Sequence, residues 1–209
     1  MKHIVIVGGS YGGIGTAHRI LKQGLKEAEE FKITLITPNT HHYWNMASPR
    51  AVIPGLLTDE ELFQPIAPGF SHYPRGRFEF ILATAERVNF EDRHVFVRQS
   101  SDVKTVDYDL LILATGSHMP ANAPFKALGS TEATKDSLHA LQRRVSSAKS
   151  IVVGGAGVSG VEIAAELGEV YIGQKEIVLV CWHGADEGVL ANKGRSQAGK
   201  VFLNTHRTV

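Results

Sequence analysis

Twice in this chain a run of apolar, mostly β-branched residues leads into a glycine-rich turn and then into a helical pattern. The first copy is Ile4-Val5-Ile6-Val7, then Gly8-Gly9-Ser10-Tyr11-Gly12-Gly13, then Ile14, Ala17, His18, Ile20 and Leu21 at helical spacing. The second is Ile151-Val152-Val153, then Gly155-Ala156-Gly157-Val158-Ser159-Gly160, then a helix start over Val161 to Leu167. The uninterrupted β-branched run of the first copy has no polar face, so it reads as a strand buried on both sides. Further strands are predicted at Ile33–Ile36, closed by Pro38-Asn39, and at Ile177–Val180, with Gly24 stopping the first helix. Each copy is therefore the opening of a βαβ unit, and the repeat predicts two such units in series.

A strand, a Gly-x-Gly-x-x-Gly turn and a helix together make an anion site. The first glycine permits the tight turn, the second lets a pyrophosphate approach the backbone, and the third lets helix and strand pack closely. The free N–H groups of the helix start face the phosphates. Gly155, Gly157 and Gly160 fill all three places, whereas the first turn keeps Gly8 and Gly13 but has Ser10 in the middle. A Cβ there narrows the approach, and the hydroxyl adds a donor. The acidic residue expected at the end of the second strand, to accept the ribose hydroxyls, is replaced by Thr37. Cys181-Trp182-His183 stand at the matching place in the second unit. Thr37 accepts a hydrogen bond without charge assistance, and the choice between NADH and NADPH stays open.

Between the two openings the period falls towards two. Phe78 to Val88 and His94 to Arg98 read as antiparallel strands joined at Glu91-Asp92-Arg93. Leu110 to Ala114 reads as a third buried strand ending at Thr115-Gly116-Ser117. Residues 38 to 76 form a long aromatic stretch with a short helical piece near Thr58 to Phe63. Met119 to Pro124 reads as a linker, and Lys135 to Ala148 as an amphipathic helix.

Composition removes other classes. With 22 Lys and Arg against 21 Asp and Glu, net +1, there is no electrostatic case for a nucleic-acid partner. One cysteine, Cys181, leaves no intrachain redox pair. No apolar run approaches a bilayer span, and no secretory layout precedes the first strand. A cytoplasmic location is expected, with a mitochondrial or membrane-peripheral one as the alternative. His41, His42 and His72 lack the carboxylates or thiols that would complete a metal site, so no metal is expected. Tyr43 and Trp44 either stack near a bound cofactor or anchor their loop.

The decapeptide Tyr108-Asp109-Leu110-Leu111-Ile112-Leu113-Ala114-Thr115-Gly116-Ser117 resembles the "ATG" motif of the two-dinucleotide-binding flavoproteins, the FAD- and NAD(P)H-dependent pyridine nucleotide oxidoreductases. Three motifs in order, over roughly residues 2 to 180, carry that likeness. His42-Tyr43-Trp44-Asn45-Met46-Ala47-Ser48-Pro49-Arg50-Ala51 is most similar to the branch of the apoptosis-inducing factors and ferroptosis suppressors. The resemblance implies an α/β fold: a Rossmann-like FAD-binding domain with an antiparallel β insertion, then the start of a second Rossmann-like, NAD(P)H-binding domain. The boundaries it suggests are 1–118, 119–180 and an atypical tail, 181–209.

By the same resemblance, Gly8, Gly9, Ser10, Tyr11 and Gly12 cradle the FAD pyrophosphate, and Gly13, Thr37, Thr115 and Gly116 belong to the same cofactor site. Arg50 contacts the cofactor or, alternatively, forms a plain surface ion pair. Ala85 lies against the adenine. Gly155, Gly157 and Gly160 hold NADH or NADPH, and Glu162 lies near the nicotinamide. The implied activity passes hydride from NAD(P)H to FAD and on to a quinone-like acceptor or oxygen. The cofactors carry that chemistry, so no catalytic side chain is expected. The family pattern stops after Val180, which makes a C-terminally truncated, inactive nucleotide-binding remnant or regulatory module the alternative. A short-chain dehydrogenase would need a Tyr-x-x-x-Lys pair, which is not visible.

Overall fold

The structure is a computed structural model that describes residues 1–27, 30–119, 121, 123–182 and 198–202. In chain order the elements are β1 Lys2–Val7, α1 Tyr11–Lys26, β2 Phe31–Thr37, β3 His41–Tyr43, α2 Ser48–Ala51, α3 Asp59–Leu62, β4 Phe63–Pro65, β5 Phe78–Leu82, β6 Thr84–Asn89, β7 His94–Gln99, β8 Asp102–Asp107 and β9 Leu110–Leu113. There follow α4 Thr131–Ser147, β10 Ser150–Gly154, α5 Val158–Val170, β11 Glu176–Trp182 and β12 Ala198–Phe202. They form two compact units, Met1–Asn45 with Asp59–Lys135, and Met46–Thr58 with Asp136–Val209.

In the first unit a parallel sheet runs in the order β5-β2-β1-β9. Alternation along β1 and β2 sorts their side chains onto two faces. Ile6, Ile33 and Leu35 pack with Ala17 and Leu21 of α1. Val5, Val7 and Ile36 pack with Val95 and Val97 of β7. The second face is covered by the antiparallel sheet β6-β7-β8. Helix, sheet and sheet thus make three layers, which is why an uninterrupted apolar run suits β1. In the second unit β10 and β11 are parallel and β12 is antiparallel to β11. Ala164 and Leu167 of α5 are buried there, as are Ile177, Val178 and Leu179 of β11.

Several elements differ from the sequence reading, each for a physical reason. Gly24 does not stop α1, which runs on to Lys26. It is instead the place where buried Phe31 lies against the helix, since a Cβ on Gly24 would sit 2.1 Å from Phe31 Cε1. The stretch Phe78 to Val88 is two strands, because the chain changes sheets at buried Ala83, whose N–H bonds Thr37 O at 3.0 Å. A period of two identifies strands but not the sheet they join. The turn after β6 is closed by Asn89, whose Oδ1 accepts the N–H groups of Glu91 and Asp92. Strand β8 was not expected, nor was the β3–β4 hairpin. β9 is an edge strand rather than a buried one, leaving Leu110 51% and Leu113 57% exposed. α4 begins at Thr131 because Ser130 Oγ caps it, accepting the Ala133 N–H at 3.0 Å. β12 lies within the segment read as an atypical tail. Cys181, which the sequence reads as a small core side chain, lies in β11, but its side chain is not among those described.

Two outcomes follow for stability. Glycine to alanine in a helix ordinarily stabilises, and Gly15→Ala, whose Cβ meets nothing within 4 Å, should gain up to about 1 kcal/mol. Gly24→Ala should lose about 1–3 kcal/mol by overpacking against Phe31. Urea unfolding followed by circular dichroism checks both signs.

Burial, chiefly, holds the imidazoles of His3, His18 and His42 below their ordinary value, and the neighbours His72 and Lys22 add to this at His18. The folded chain therefore binds fewer protons than the unfolded one as pH falls below about 6.5. This contribution is fully present above that value and is lost below it. The urea midpoint should be lower at about pH 5.5 than at about pH 7.5; an unchanged midpoint would contradict the neutral imidazoles.

Candidate functional site

The two glycine turns repeat in geometry as well as in sequence. Gly8 has φ +120° and Gly155 has φ +102°, a region that side chains other than glycine rarely enter. Each first glycine donates its N–H to the second strand of its own unit: Gly8 to Ile36 O at 2.9 Å, Gly155 to Val180 O at 2.8 Å. Each third glycine lies against the carbonyl of the first. A Cβ on Gly13 would stand 1.7 Å from Gly8 O, and one on Gly160 1.9 Å from Gly155 O. The middle residues, Ser10 and Gly157, are both extended N-caps that make no side-chain cap bond. Ile14 N–H then bonds Ser10 O, as Val161 N–H bonds Gly157 O. Neither helix has an acidic residue in its first turn, which favours an anion at the helix start.

In the first unit the turn opens on a cavity of about 610 Å³ at the C-terminal ends of the parallel strands. Gly8–Gly12 form the centre of its lining, Thr37–Asn39 and Ala83–Ala85 one part, and Ala114–Ser117 another. Val7, Ile36, His41, Tyr43, Asn45 and Lys126–Leu128 complete it. The cavity thus gathers Gly8, Gly9, Ser10, Tyr11, Gly12, Thr37, Ala85, Thr115 and Gly116 from the residues the sequence singled out. Gly13 is not in the lining, since it packs beneath Gly8. Arg50 is not in it either: it lies on α2, in the second unit, with its Nε 3.4 Å from Glu166 Oε1 of α5. Gly155, Gly157, Gly160 and exposed Glu162 belong to the turn and helix of the second unit.

Thr37 is 3% exposed, and its Oγ1 already accepts the Asn39 N–H at 3.3 Å. A Cβ on Gly9 would come within 2.6 Å of its methyl group, so turn and strand end are in direct contact. Tyr43 anchors its loop: it is 3% exposed, its ring stacks on Phe63 at 4.8 Å, and its hydroxyl donates to Pro124 O at 2.8 Å. Burial raises its phenol well above the ordinary value. Trp44 is 44% exposed. His42 lies edge-on to Tyr11, with ring centres 4.5 Å apart, and its Nδ1 is buried without a hydrogen-bond partner. Among the described residues no three metal-ligating side chains come together. No described helix is long and apolar enough to cross a membrane.

The sequence reading missed Asn39, Asn45 and the stretch Lys126–Leu128. Asn39 Nδ2 donates to Leu128 O and Asn45 Nδ2 to Phe125 O, both at 3.1 Å. Asparagine in a loop signals a side chain available to bind backbone, but not which backbone, some 80 residues away.

A parallel sheet with a glycine turn at its centre, repeated in a second α/β unit, is the arrangement of the dinucleotide-binding oxidoreductases. The chain belongs to the pyridine nucleotide-disulphide oxidoreductase family, whose sequence profile matches residues 2–181. It is 45% identical over 181 residues to oxidoreductase ptaL of Pestalotiopsis fici, covering 86% of this chain and 49% of that protein. It is 28% identical to ferroptosis suppressor protein 1 of Homo sapiens, covering 85% of this chain and 43% of that one. Among solved structures, the sulfide:quinone oxidoreductase of Aquifex aeolicus shares the fold with a TM-score of 0.63 at 24% identity, over 82% of this chain and 40% of that one. The chain spans about half the length of the curated relatives it matches, or less. Flavin and pyridine-nucleotide use and NAD(P)H-dependent oxidoreduction are properties of this family.

The two kinds of glycine separate by substitution. Gly13→Ala drives a Cβ into backbone and should cost about 3 kcal/mol or more. Gly157→Ala, whose Cβ meets nothing within 4 Å, should stay within about 0.5 kcal/mol of the parent. Denaturant midpoints of the two variants test the distinction.

Proposed function

We propose that this chain supplies the FAD-binding and NAD(P)H-binding parts of an oxidoreductase that passes two electrons from NADH or NADPH to FAD and then to a quinone-like acceptor or oxygen. The observation that carries the reading is the repeated turn, one copy in each unit, with matching positive φ at Gly8 and Gly155 and the same close approach at Gly13 and Gly160. The first unit fits FAD by its chemistry. Backbone N–H groups of the α1 start meet the pyrophosphate, and the Ser10 hydroxyl adds a donor. Ala83–Ala85 offer an apolar rest for the adenine, with Thr37 beside the ribose. No carboxylate stands among the described lining residues to repel the phosphates. The open space at Gly157 gives a second pyrophosphate its approach. FAD held there would supply the two-electron redox chemistry, and the chain would bind, orient and shield it. A quinone-like acceptor is supported by the relative from Aquifex aeolicus, named for quinone reduction.

The inactive nucleotide-binding remnant has one observation in its favour. Strands β9 and β10 end their sheets with exposed apolar side chains, Leu110, Leu113 and Val152. An anaerobic visible spectrum before and after NADH addition separates the readings. Bound flavin that bleaches supports the oxidoreductase, and a colourless protein that FAD cannot reconstitute refutes it. Gly157→Ala should keep its FAD and lose about tenfold in NADH affinity, the size of one lost hydrogen bond.

A further inference from the structure

Three side chains of the segment after β2 reach one short stretch of backbone. Asn39 Nδ2 donates to Leu128 O at 3.1 Å, the Tyr43 hydroxyl to Pro124 O at 2.8 Å, and Asn45 Nδ2 to Phe125 O at 3.1 Å. Leu128 N–H in turn donates to Thr134 Oγ1 at 2.9 Å, on fully buried Thr134. Residues 124–128 are therefore a strap pinned at both ends, and Pro124 is buried. A loop serving only as a connection has no need of such anchoring.

The strap brings Lys126 into the cavity lining. Its ammonium donates to Ser117 Oγ, a neutral partner. Among the described lining residues there is no carboxylate and no other lysine or arginine. A hydroxyl partner brings no opposing charge and leaves an ammonium two further donors for an anion.

Sheet order fixes which end of a ligand it meets. The glycine turn follows β1, with β2 and β5 on one side and β9 on the other. A dinucleotide whose pyrophosphate rests on that turn puts one nucleoside on each side. Thr37 and Ala85 stand on the β2 and β5 side; Ser117, the partner of Lys126, follows β9. If adenosine takes the first side, as the function proposed above requires, the flavin-bearing half takes the second.

We propose that Lys126, held by the 124–128 strap, is the positive charge set against the flavin-bearing half of the cofactor, where it favours the reduced, more negative form. This rests on FAD being the ligand of the first unit. The charge acts on the reduced form more than on the oxidised one, so it raises the midpoint potential of the bound flavin.

The test uses FAD-loaded protein and the variants Lys126→Gln, Lys126→Arg and Tyr43→Phe, with the midpoint potential measured by dye equilibration. Binding of ADP to the apoprotein, which reports only the adenosine and phosphate subsites, is measured alongside. Lys126→Gln should lower the potential by about 30 mV, a tenfold loss of preference for the reduced form in a two-electron couple. Its ADP affinity should stay within about twofold of the parent, a difference too small for a lost charge-assisted bond. Lys126→Arg should restore the potential. Tyr43→Phe, which removes one pin of the strap, should lower it by less. An unchanged potential in Lys126→Gln overturns the inference, and so does an equal loss of ADP and FAD binding, which would make the lysine a phosphate contact. If Lys126→Gln does not fold, the potentials of the other two variants decide: unchanged values in Tyr43→Phe overturn the strap's role. Parent protein that takes up no FAD overturns the proposed function itself and is seen without any variant.

Discussion

The first unit is organised by a contact that has no room for a side chain: Gly13 at the start of α1 against the carbonyl of Gly8 at the end of β1. It sets how closely the helix lies on the sheet. With α1 held there, Ala17 and Leu21 reach Ile6, Ile33 and Leu35, and one face of the sheet is filled. The same contact leaves the N–H groups of the helix start pointing past the strand ends, where the cavity lies. Packing and binding are thus consequences of one approach distance. The second unit makes the same contact between Gly160 and Gly155.

The other face of the sheet depends on a change of partner at Ala83. Up to Leu82 the chain pairs with β2; from Thr84 it pairs with β7. The step lets one extended stretch belong to two layers, so the antiparallel sheet lies directly over Val5, Val7 and Ile36. It also leaves Ala83–Ala85 at the cavity beside Thr37, because the crossing happens at the strand ends. Small side chains there keep the wall flat.

How much of this was legible follows from the range of the interactions. The glycine turns, β1, β2, β10 and α5 are local signals, and their residues announced them. So did most of the cavity's centre, since Gly8–Gly12, Thr37 and Thr115-Gly116 are each adjacent to a strand end. The sheet change at Ala83 was not legible, because alternation looks the same in either sheet. Gly24 misled because a helix glycine reads as a stop unless the ring packed on it, Phe31, is known. The strap was out of reach for the same reason: Asn39, Tyr43 and Asn45 find partners about 80 residues on, through a fold no spacing rule encodes.

The missing acidic residue at position 37 bears on what the cavity selects. A carboxylate at that strand end accepts ribose hydroxyls strongly but also repels phosphate. Thr37 is buried, and one of its acceptor sites is occupied by the Asn39 N–H. What remains is a neutral donor and acceptor, worth less to the ribose and costing nothing to an anion. With Lys126 as the only lysine or arginine among the described lining residues, the polarity of the site runs from a neutral end near β2 to a cationic end near β9. A ligand with a neutral nucleoside at one end, a pyrophosphate in the middle and a group that gains negative charge at the other matches that gradient. A ligand with an additional phosphate on the ribose gains nothing from Thr37, since no lysine or arginine stands on that side among the described lining residues. The first unit is therefore suited by charge to a dinucleotide whose changing charge lies away from the adenosine.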